Sequence, residues 1–126
     1  MTRFAFDHVH LRSPDPDATG AWFVEMLEAK QVRRLEGPNS LRVILDFGGL
    51  NLFIERVPPN TPSPPPAPFM GIEHLALAVK GIDAIVEELR GKGVRIVMEP
   101  NNPNPTTRIA FIEGPENVRV ELLERS

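Results

Sequence analysis

The stretch Phe6-Asp7-His8-Val9-His10-Leu11-Arg12 decides the fold, because a related stretch, Ile72-Glu73-His74-Leu75-Ala76-Leu77-Ala78, begins 66 positions later. In both copies an acidic residue precedes a histidine, and apolar residues then occupy every second position. Such alternation is typical of a half-buried strand. A repeat of this length in a chain of 126 residues predicts two modules that are built alike.

The residues after each copy carry one helical pattern and then three strand-like runs. The first helix is expected to begin near Asp17, with Asp15 and Asp17 as capping residues, and the second to run from about Ile82 to Gly91 or Gly93. The later strands are expected at residues 31–35, 41–47 and 50–57 and again at residues 94–98, 107–113 and 118–125, with turns at 48–49 and 114–117 and a loop at 100–105. We therefore expect an α+β fold, in which two βαβββ modules form one cupped mixed sheet.

A proline-rich stretch separates the two modules. Seven of the 14 prolines lie between Pro58 and Pro68, in PPNTPSPPPAPF, and such a run favours an extended connector. We expect a first module at residues 1–57, a linker at 58–70 and a second module at 71–126, together a single domain. A proline-rich ligand for a partner domain is the alternative interpretation of this stretch.

The composition argues against several classes of function. A net charge of −3 gives no basic footprint for nucleic acid, and the chain has no long apolar run that could cross a membrane. The N-terminus lacks the apolar core of a signal peptide, and the chain has no cysteine for disulfides or zinc–thiolate sites, which fits a cytoplasmic location. Tyrosine is absent as well, so no phenol can serve as an acid.

Strand parity sorts the polar side chains onto one face of the predicted sheet. On the first strand, His8, His10 and Arg12 oppose Val9 and Leu11. The corresponding faces of the other strands are polar or mixed. They carry His74 on the strand at 72–78, Glu121 on the strand at 118–125, and Asn51 with Phe53 on the strand at 50–57. The aliphatic faces are expected to pack on the helices, so the opposite faces are expected to meet in a partly apolar cavity.

Imidazole and carboxylate groups in such a cavity need hydrogen-bond partners or a metal ion. His8, His74 and Glu121 form a two-histidine, one-carboxylate set, which suits divalent Zn, Ni, Co, Mn or Fe and leaves positions open for substrate or water. A single strand histidine is more often exposed or hydrogen-bonded than a metal ligand. The matched places of the two histidines in the repeat favour the metal site.

The order of these residues along the chain resembles that of the glyoxalase, bleomycin-resistance and extradiol-dioxygenase superfamily, also called vicinal oxygen chelate. The resemblance runs from Phe6 to Glu124 and is carried by FDHVHLRSPDPD, the helix AWFVEMLEAK, GIEHLALAV and the closing GPENVRVELLE. It implies one ligand on the first strand and one on the last strand of each module. By position these ligands are His8, Asn51, His74 and Glu121.

Two of the positions implied by the resemblance are unusual. Asn51 stands where metal-dependent glyoxalases place Glu, so it could bind weakly through its carbonyl, reach the metal through water or leave the place vacant. His10 lies two residues beyond His8 on the same face. It could support a ligand, carry a proton, act as an alternative ligand or simply line the cavity.

The resemblance implies a divalent-metal-dependent isomerase, lyase or epimerase that acts on a small carbonyl compound by stabilising an enolate. Glu121 could remain bound to the metal or act as the base, with His10 as a second proton carrier. Arg12 sits where glyoxalases place a glutathione-binding arginine, whereas Glu55 replaces the companion asparagine, which argues against glutathione. Further substrate contacts are expected from Phe53, Arg108 and Phe111.

Two other functions stay open. An Fe(II) ring-cleaving dioxygenase would use the same three ligands, although the tyrosine usual near that iron is absent. A bleomycin-resistance-like protein would sequester a small hydrophobic compound without a metal, although retention of His8, His74 and Glu121 argues against it. The resemblance also implies a homodimer, in which metal sites lie within one chain or are shared between two.

Overall fold

The structure is a computed structural model that describes residues 2–126, so Met1, the start of the predicted first module, lies outside the described residues. The chain divides into two compact units, Met1–Pro62 and Ser63–Ser126. Their boundary falls inside the proline-rich stretch, and residues 57–74 form no helix or strand. The linker bounds 58–70 and the union of both modules in a single domain stay predictions.

The first unit is a four-stranded sheet with one helix. Its elements are β1 (Val9–Ser13), α1 (Pro16–Leu27), β2 (Lys30–Gly37), β3 (Ser40–Phe47) and β4 (Leu50–Arg56). The strand order is β1-β4-β3-β2, with β1 parallel to β4 and the other neighbours antiparallel. Gly48 and Gly49 turn between β3 and β4 with φ values of 63° and 95°, a conformation that glycine adopts readily.

The second unit repeats this topology. Its elements are β5 (Leu75–Ala78), α2 (Ile82–Gly91), β6 (Arg95–Asn104), β7 (Thr107–Glu113), a 3₁₀ turn (Pro115–Asn117) and β8 (Arg119–Arg125). The order β5-β8-β7-β6 again has one parallel pair, β5 with β8. The predicted α+β class and the two βαβββ modules are confirmed. Neither α-helix in residues 2–126 is long and apolar enough to cross a bilayer.

The core of each unit lies between the helix and one face of the sheet. In the first unit Leu52 and Ile54 are fully buried, and α1 approaches so closely that a Cβ on Gly20 would lie 3.1 Å from Cγ1 of Val43. In the second unit the buried side chains include Val86 and Leu89 of α2 and, from the sheet, Ala110, Ile112, Val120 and Leu122. The aliphatic faces therefore form the core, and the polar side chains at the intervening positions are left on the opposite faces.

Strand β6 is longer than the pattern predicts. Residues 100–104 belong to the strand, so the expected loop at 100–105 is wrong, and only Pro105 and Thr106 form the turn to β7. The β6–β7 ladder shifts register three times, and Asn101 and Asn104 still pair with Ile109 and Thr107. β6 is an edge strand, and such irregularities let it include Pro100 and Pro103, which have no N–H to donate.

The two helices begin in different ways. Asp15 alone caps α1, where its carboxylate accepts a hydrogen bond from the Ala18 N–H at 3.1 Å, whereas Asp17 pairs with Arg34. Helix α2 follows Gly81, which has a φ of 79° and no side-chain cap of its own. Glu124 on β8 caps this helix instead, because its carboxylate accepts the N–H groups of Gly81 at 2.8 Å and Ile82 at 3.0 Å.

This remote cap predicts a pH-dependent stability. The two backbone hydrogen bonds lower the pKa of Glu124, so their stabilisation is present at neutral pH and is lost as the pH falls through the folded-state pKa. We expect Glu124→Gln to lower the Tm at pH 7 by roughly 3–6 °C, and the Tm values of the two proteins to converge on acidification. Thermal unfolding followed by circular dichroism at several pH values measures this, with the exposed Glu25→Gln as control. Equal Tm values at pH 7 would contradict it.

Candidate functional site

The second unit places three predicted site residues side by side on the face of the sheet opposite α2. Phe111 on β7 is the cross-strand partner of Glu121 on β8, and His74 lies immediately before β5. Nε2 of His74 lies 3.2 Å from Oε1 of Glu121, and the imidazole meets the Phe111 ring edge-on with centroids 5.1 Å apart. The Glu121 side chain is 14% exposed and that of His74 34%, so the pair is reachable from solvent but partly desolvated.

The residue before His74 fixes the orientation of its ring. Nδ1 of His74 donates a hydrogen bond to Glu73 at 3.0 Å, because an ionised carboxylate can only accept. Arg119 donates to the same oxygen at 2.8 Å and lies over the Phe111 ring at 4.3 Å. The hydrogen bond from His74 is the main cause of the lowered pKa of Glu73. In the neutral ring, Nε2 is then left with the lone pair on the side of Glu121.

The contact between His74 and Glu121 has the length expected of two ligands on one small cation. Bonds of about 2.0–2.1 Å to nitrogen and oxygen separate two ligand atoms by about 2.9 Å at octahedral angles and about 3.4 Å at tetrahedral angles. The observed 3.2 Å lies between these values. Nε2 of His74 and Oε1 of Glu121 lie close to each other without an aligned hydrogen bond, whereas Nδ1 donates an aligned hydrogen bond to Glu73. The imidazole and carboxylate therefore fit a divalent metal.

The first unit presents His8 in a similar way, but against an aromatic ring. His8 lies immediately before β1, and its Nδ1 donates to the carboxylate of Asp7 at 2.6 Å. The imidazole stacks on Phe53 of β4, with ring centroids 4.0 Å apart and an interplanar angle of 10°. Both predicted histidine ligands thus hold Nδ1 on the preceding acid and leave Nε2 available.

His10 belongs to the same surface as His8. The centroids of the two imidazoles are 5.8 Å apart, and Nε2 of His10 lies 3.5 Å from Oε1 of Glu55. Burial is the main cause that lowers the pKa of His10, whereas a hydrogen bond from Arg42 lowers the pKa of Glu55. Arg42 also lies over the Phe53 ring at 5.3 Å, so a positive charge lies next to the surface formed by His8, His10 and Phe53.

The remaining predicted residues do not all lie on the faces opposite the helices. Arg12 lies opposite Glu55 in the β1–β4 ladder, and Asn51 is an exposed residue two positions before Phe53 on the same face of β4. Arg108 lies apart from Phe111 and Glu121, because its guanidinium donates to Asp83 of α2 at 2.7 Å and to Asn102 at 2.7 Å. The substrate or ligand roles of these residues stay predictions.

The predicted ligands are also divided along the chain. His8 belongs to the first unit, and His74 and Glu121 belong to the second. Within residues 2–126, neither unit by itself gathers three His, Asp or Glu side chains closely enough to hold a metal. The ligand roles of His8, His74 and Glu121 stay predictions.

Asp7, Glu73 and Arg119 were not predicted as site residues. The signal for the first two was present, because an acid precedes the histidine in both copies of the repeat. Arg119 carries no such signal, since its contact with Glu73 joins positions 46 residues apart.

The second unit also contains a cavity of about 420 Å³, and Arg119 is one of the residues that line it. This volume lies within the range of small-molecule sites. Prolines of the connector form one wall, and the lining residues are Pro64, Pro65, Pro66, Ala67, Phe69, Arg95, Val97, Glu113, Asn117 and Arg119. Because Arg119 also holds Glu73, the cavity adjoins the residues that orient His74.

The fold agrees with that of a known family. The family model of the glyoxalase/bleomycin resistance protein/dioxygenase superfamily matches residues 5–122. The chain belongs to this superfamily.

Individual relatives are similar over different parts of the chain. A protein from Synechocystis sp., described as a probable lactoylglutathione lyase, is 39% identical over 57 residues, a match that spans only 44% of either chain. The uncharacterized protein YwkD of Bacillus subtilis is 29% identical over 125 residues, or 94% of either chain. The crystal structure of a glyoxalase family protein from Enterococcus faecalis has a TM-score of 0.81 and 24% identity, over 98% of this chain and 100% of that one, and it supports the fold alone.

Proposed function

We propose that the protein is a divalent-metal-dependent isomerase, lyase or epimerase acting on a small carbonyl compound, with His8, His74 and Glu121 as metal ligands. The observation that carries this proposal is the 3.2 Å contact between Nε2 of His74 and Oε1 of Glu121. Membership of the superfamily and the partial likeness to a probable lactoylglutathione lyase support the same class of reaction.

The hydrogen bonds of the two histidines support their role as ligands. A ligand histidine usually donates its second ring N–H to a carboxylate or carbonyl, which fixes the tautomer and raises the basicity of the other nitrogen. Asp7 and Glu73 accept from Nδ1 of His8 and His74 in this way. Both rings therefore offer Nε2, the nitrogen that lies near Glu121 in the case of His74.

The protein's own groups then have separate tasks in the reaction. A bound divalent metal would supply positive charge that stabilises the oxyanion developing on the substrate carbonyl. Glu121 either stays a ligand or accepts the proton from the carbon next to that carbonyl, and His10 is the second candidate for moving a proton. Phe53 stacks on His8 and Phe111 meets His74 edge-on, so each histidine has an aromatic neighbour within its own unit.

The surroundings of Arg12 favour a substrate other than a glutathione adduct. Arg12 faces Glu55 across the β1–β4 ladder, and Arg42 already holds that carboxylate at 2.6 Å. The hydrogen bond from Arg42 and, more weakly, the charge of Arg12 lower the pKa of Glu55, so Arg12 already interacts with a carboxylate of the protein itself. We therefore propose a small carbonyl substrate without the tripeptide.

Metal content followed by substrate screening tests the proposed function. Protein purified without chelator is expected to contain close to one metal per chain, or to take up Zn, Ni, Co, Mn or Fe(II) to that level. The loaded protein is then assayed with a 2-oxo aldehyde plus a thiol, with acyl-CoA epimers and with catechols. Isomerisation or epimerisation that EDTA abolishes is the expected result, oxygen consumption with catechols would identify a dioxygenase instead, and no metal uptake would contradict the proposal.

The cavity beside Arg119 favours a second candidate function, a small-molecule binding protein. Its volume of about 420 Å³ and its wall of prolines, Phe69 and Val97 suit a compact ligand with an apolar part, and four polar or charged residues line the rest. Binding of such a compound with equal affinity in the presence and absence of EDTA would favour this alternative.

We further propose a homodimer. Four large apolar side chains are strongly exposed and occupy matching places in the two copies of the repeat: Phe4 and Phe6, at 77% and 76% exposure, and Met70 and Ile72, at 98% and 88%. Apolar side chains exposed in this way are commonly covered by a partner chain. Sedimentation equilibrium of the wild type measures the mass, and a monomer would contradict the proposal. The cytoplasmic location stays a prediction.

A further inference from the structure

The strand registers of the two units give a residue-by-residue correspondence between them. In the first unit Val9 pairs with Leu52 and His10 pairs with Phe53. In the second unit Leu75, the counterpart of Val9 in the repeat, pairs with Val120. The next pair is Ala76 with Glu121. The counterpart of Glu121 in the first unit is therefore Phe53.

The same correspondence places Asn51 elsewhere. Counting back one residue from Leu52 and from Val120 matches Asn51 with Arg119. Arg119 holds Glu73, the acid before His74. Asn51 thus corresponds to a residue that supports the site, and not to the carboxylate that contacts the imidazole.

The side-chain contacts agree with the register. His74 meets the carboxylate of Glu121 at 3.2 Å, whereas His8 meets the ring of Phe53 at a centroid distance of 4.0 Å. The same partner position in the repeat is a ligand-type residue in one unit and an aromatic ring in the other. Stacking at an interplanar angle of 10° lets Phe53 hold the imidazole plane of His8 without offering an electron pair.

We propose that Phe53 occupies the place of a fourth metal ligand, so that the first unit contributes His8 alone and Phe53 acts as a positioning residue for it. This inference rests on the proposed metal site and specifies its coordination. Three protein ligands leave one place open on a tetrahedral cation and three on an octahedral one. With a single carboxylate, the bound divalent cation also keeps a net positive charge toward the substrate.

Two glutamate substitutions on the same face of β4 separate this assignment from the one based on Asn51. Phe53→Glu is expected to tighten Co(II) binding at least about 10-fold, because it adds an anionic ligand, and to reduce the change that added azide makes in the visible spectrum of the Co(II) protein. Asn51→Glu, the matched control, is expected to change the Co(II) affinity by less than about threefold. Chelator competition measures the affinities, and the azide titration reports the open positions independently of activity.

The possible outcomes each decide the assignment. Tighter binding in Asn51→Glu and not in Phe53→Glu would overturn it, and so would an azide response in Phe53→Glu equal to that of the wild type. Phe53→Gln adds a neutral oxygen ligand and replaces Phe53→Glu if the charged variant does not fold. A wild type that binds no metal contradicts the proposed function; gain of Co(II) binding in Phe53→Glu would then still support this inference, and its absence there would overturn it.

Discussion

Glu121→Ala is expected to weaken divalent-metal binding by more than about 100-fold, while the chain stays folded. Removing a residue that merely supports a ligand typically costs 10–100-fold in metal affinity, and Glu121 is proposed as the anionic ligand itself. Its side chain is partly exposed on the face opposite the helix, so the substitution opens no cavity in the buried core. His74 keeps its hydrogen bond to Glu73 in this variant, so the loss is confined to the metal site.

Chelator competition with Zn(II) and Co(II) measures the affinity, and thermal unfolding without metal confirms the fold. Glu116→Ala is the control, because Glu116 is an exposed residue in the turn before β8 and its loss removes the same charge. Equal metal affinities in Glu121→Ala and Glu116→Ala would remove the basis of the proposed function.

Phe23→Ala is expected to lower the free energy of unfolding by about 3–5 kcal/mol. Phe23 is 0% exposed, and its ring packs edge-on against Phe47 at 5.4 Å and against Trp22 at 5.1 Å. Deleting the ring leaves a cavity between α1 and the sheet, in addition to the lost transfer free energy of the ring itself.

Urea unfolding followed by fluorescence of Trp22 and by circular dichroism measures this loss. Val24→Ala is the control, because Val24 is the next residue of the same helix and is 38% exposed. A change within about 0.5 kcal/mol is expected for the control. A loss below about 1 kcal/mol for Phe23→Ala would mean that the ring is not a central part of the core.

Features of the fold that depend on local interactions were predicted from the sequence, whereas features that depend on distant contacts were not. The repeat beginning at residues 6 and 72, the two helices and most strands follow from alternation and turn residues, which depend only on near neighbours in the chain. The helix-facing positions Leu52 and Val120 were predicted for the same reason, as was the presence of Glu121 on the opposite face. Strand β6 was predicted too short, because proline is tolerated at an irregular edge.

The sequence by itself determined the α+β class, the two modules and the faces of β1 and β8 on which His10 and Glu121 lie. Tertiary structure alone decided that Phe53 and not Asn51 is the counterpart of Glu121, and that Glu124 caps α2. The physical reason is that side-chain parity is a property of one strand, whereas register and remote caps depend on which residues of two distant segments meet. A change of two residues in strand register leaves every side chain on its predicted face, because side chains alternate, but it changes the residue that each side chain meets.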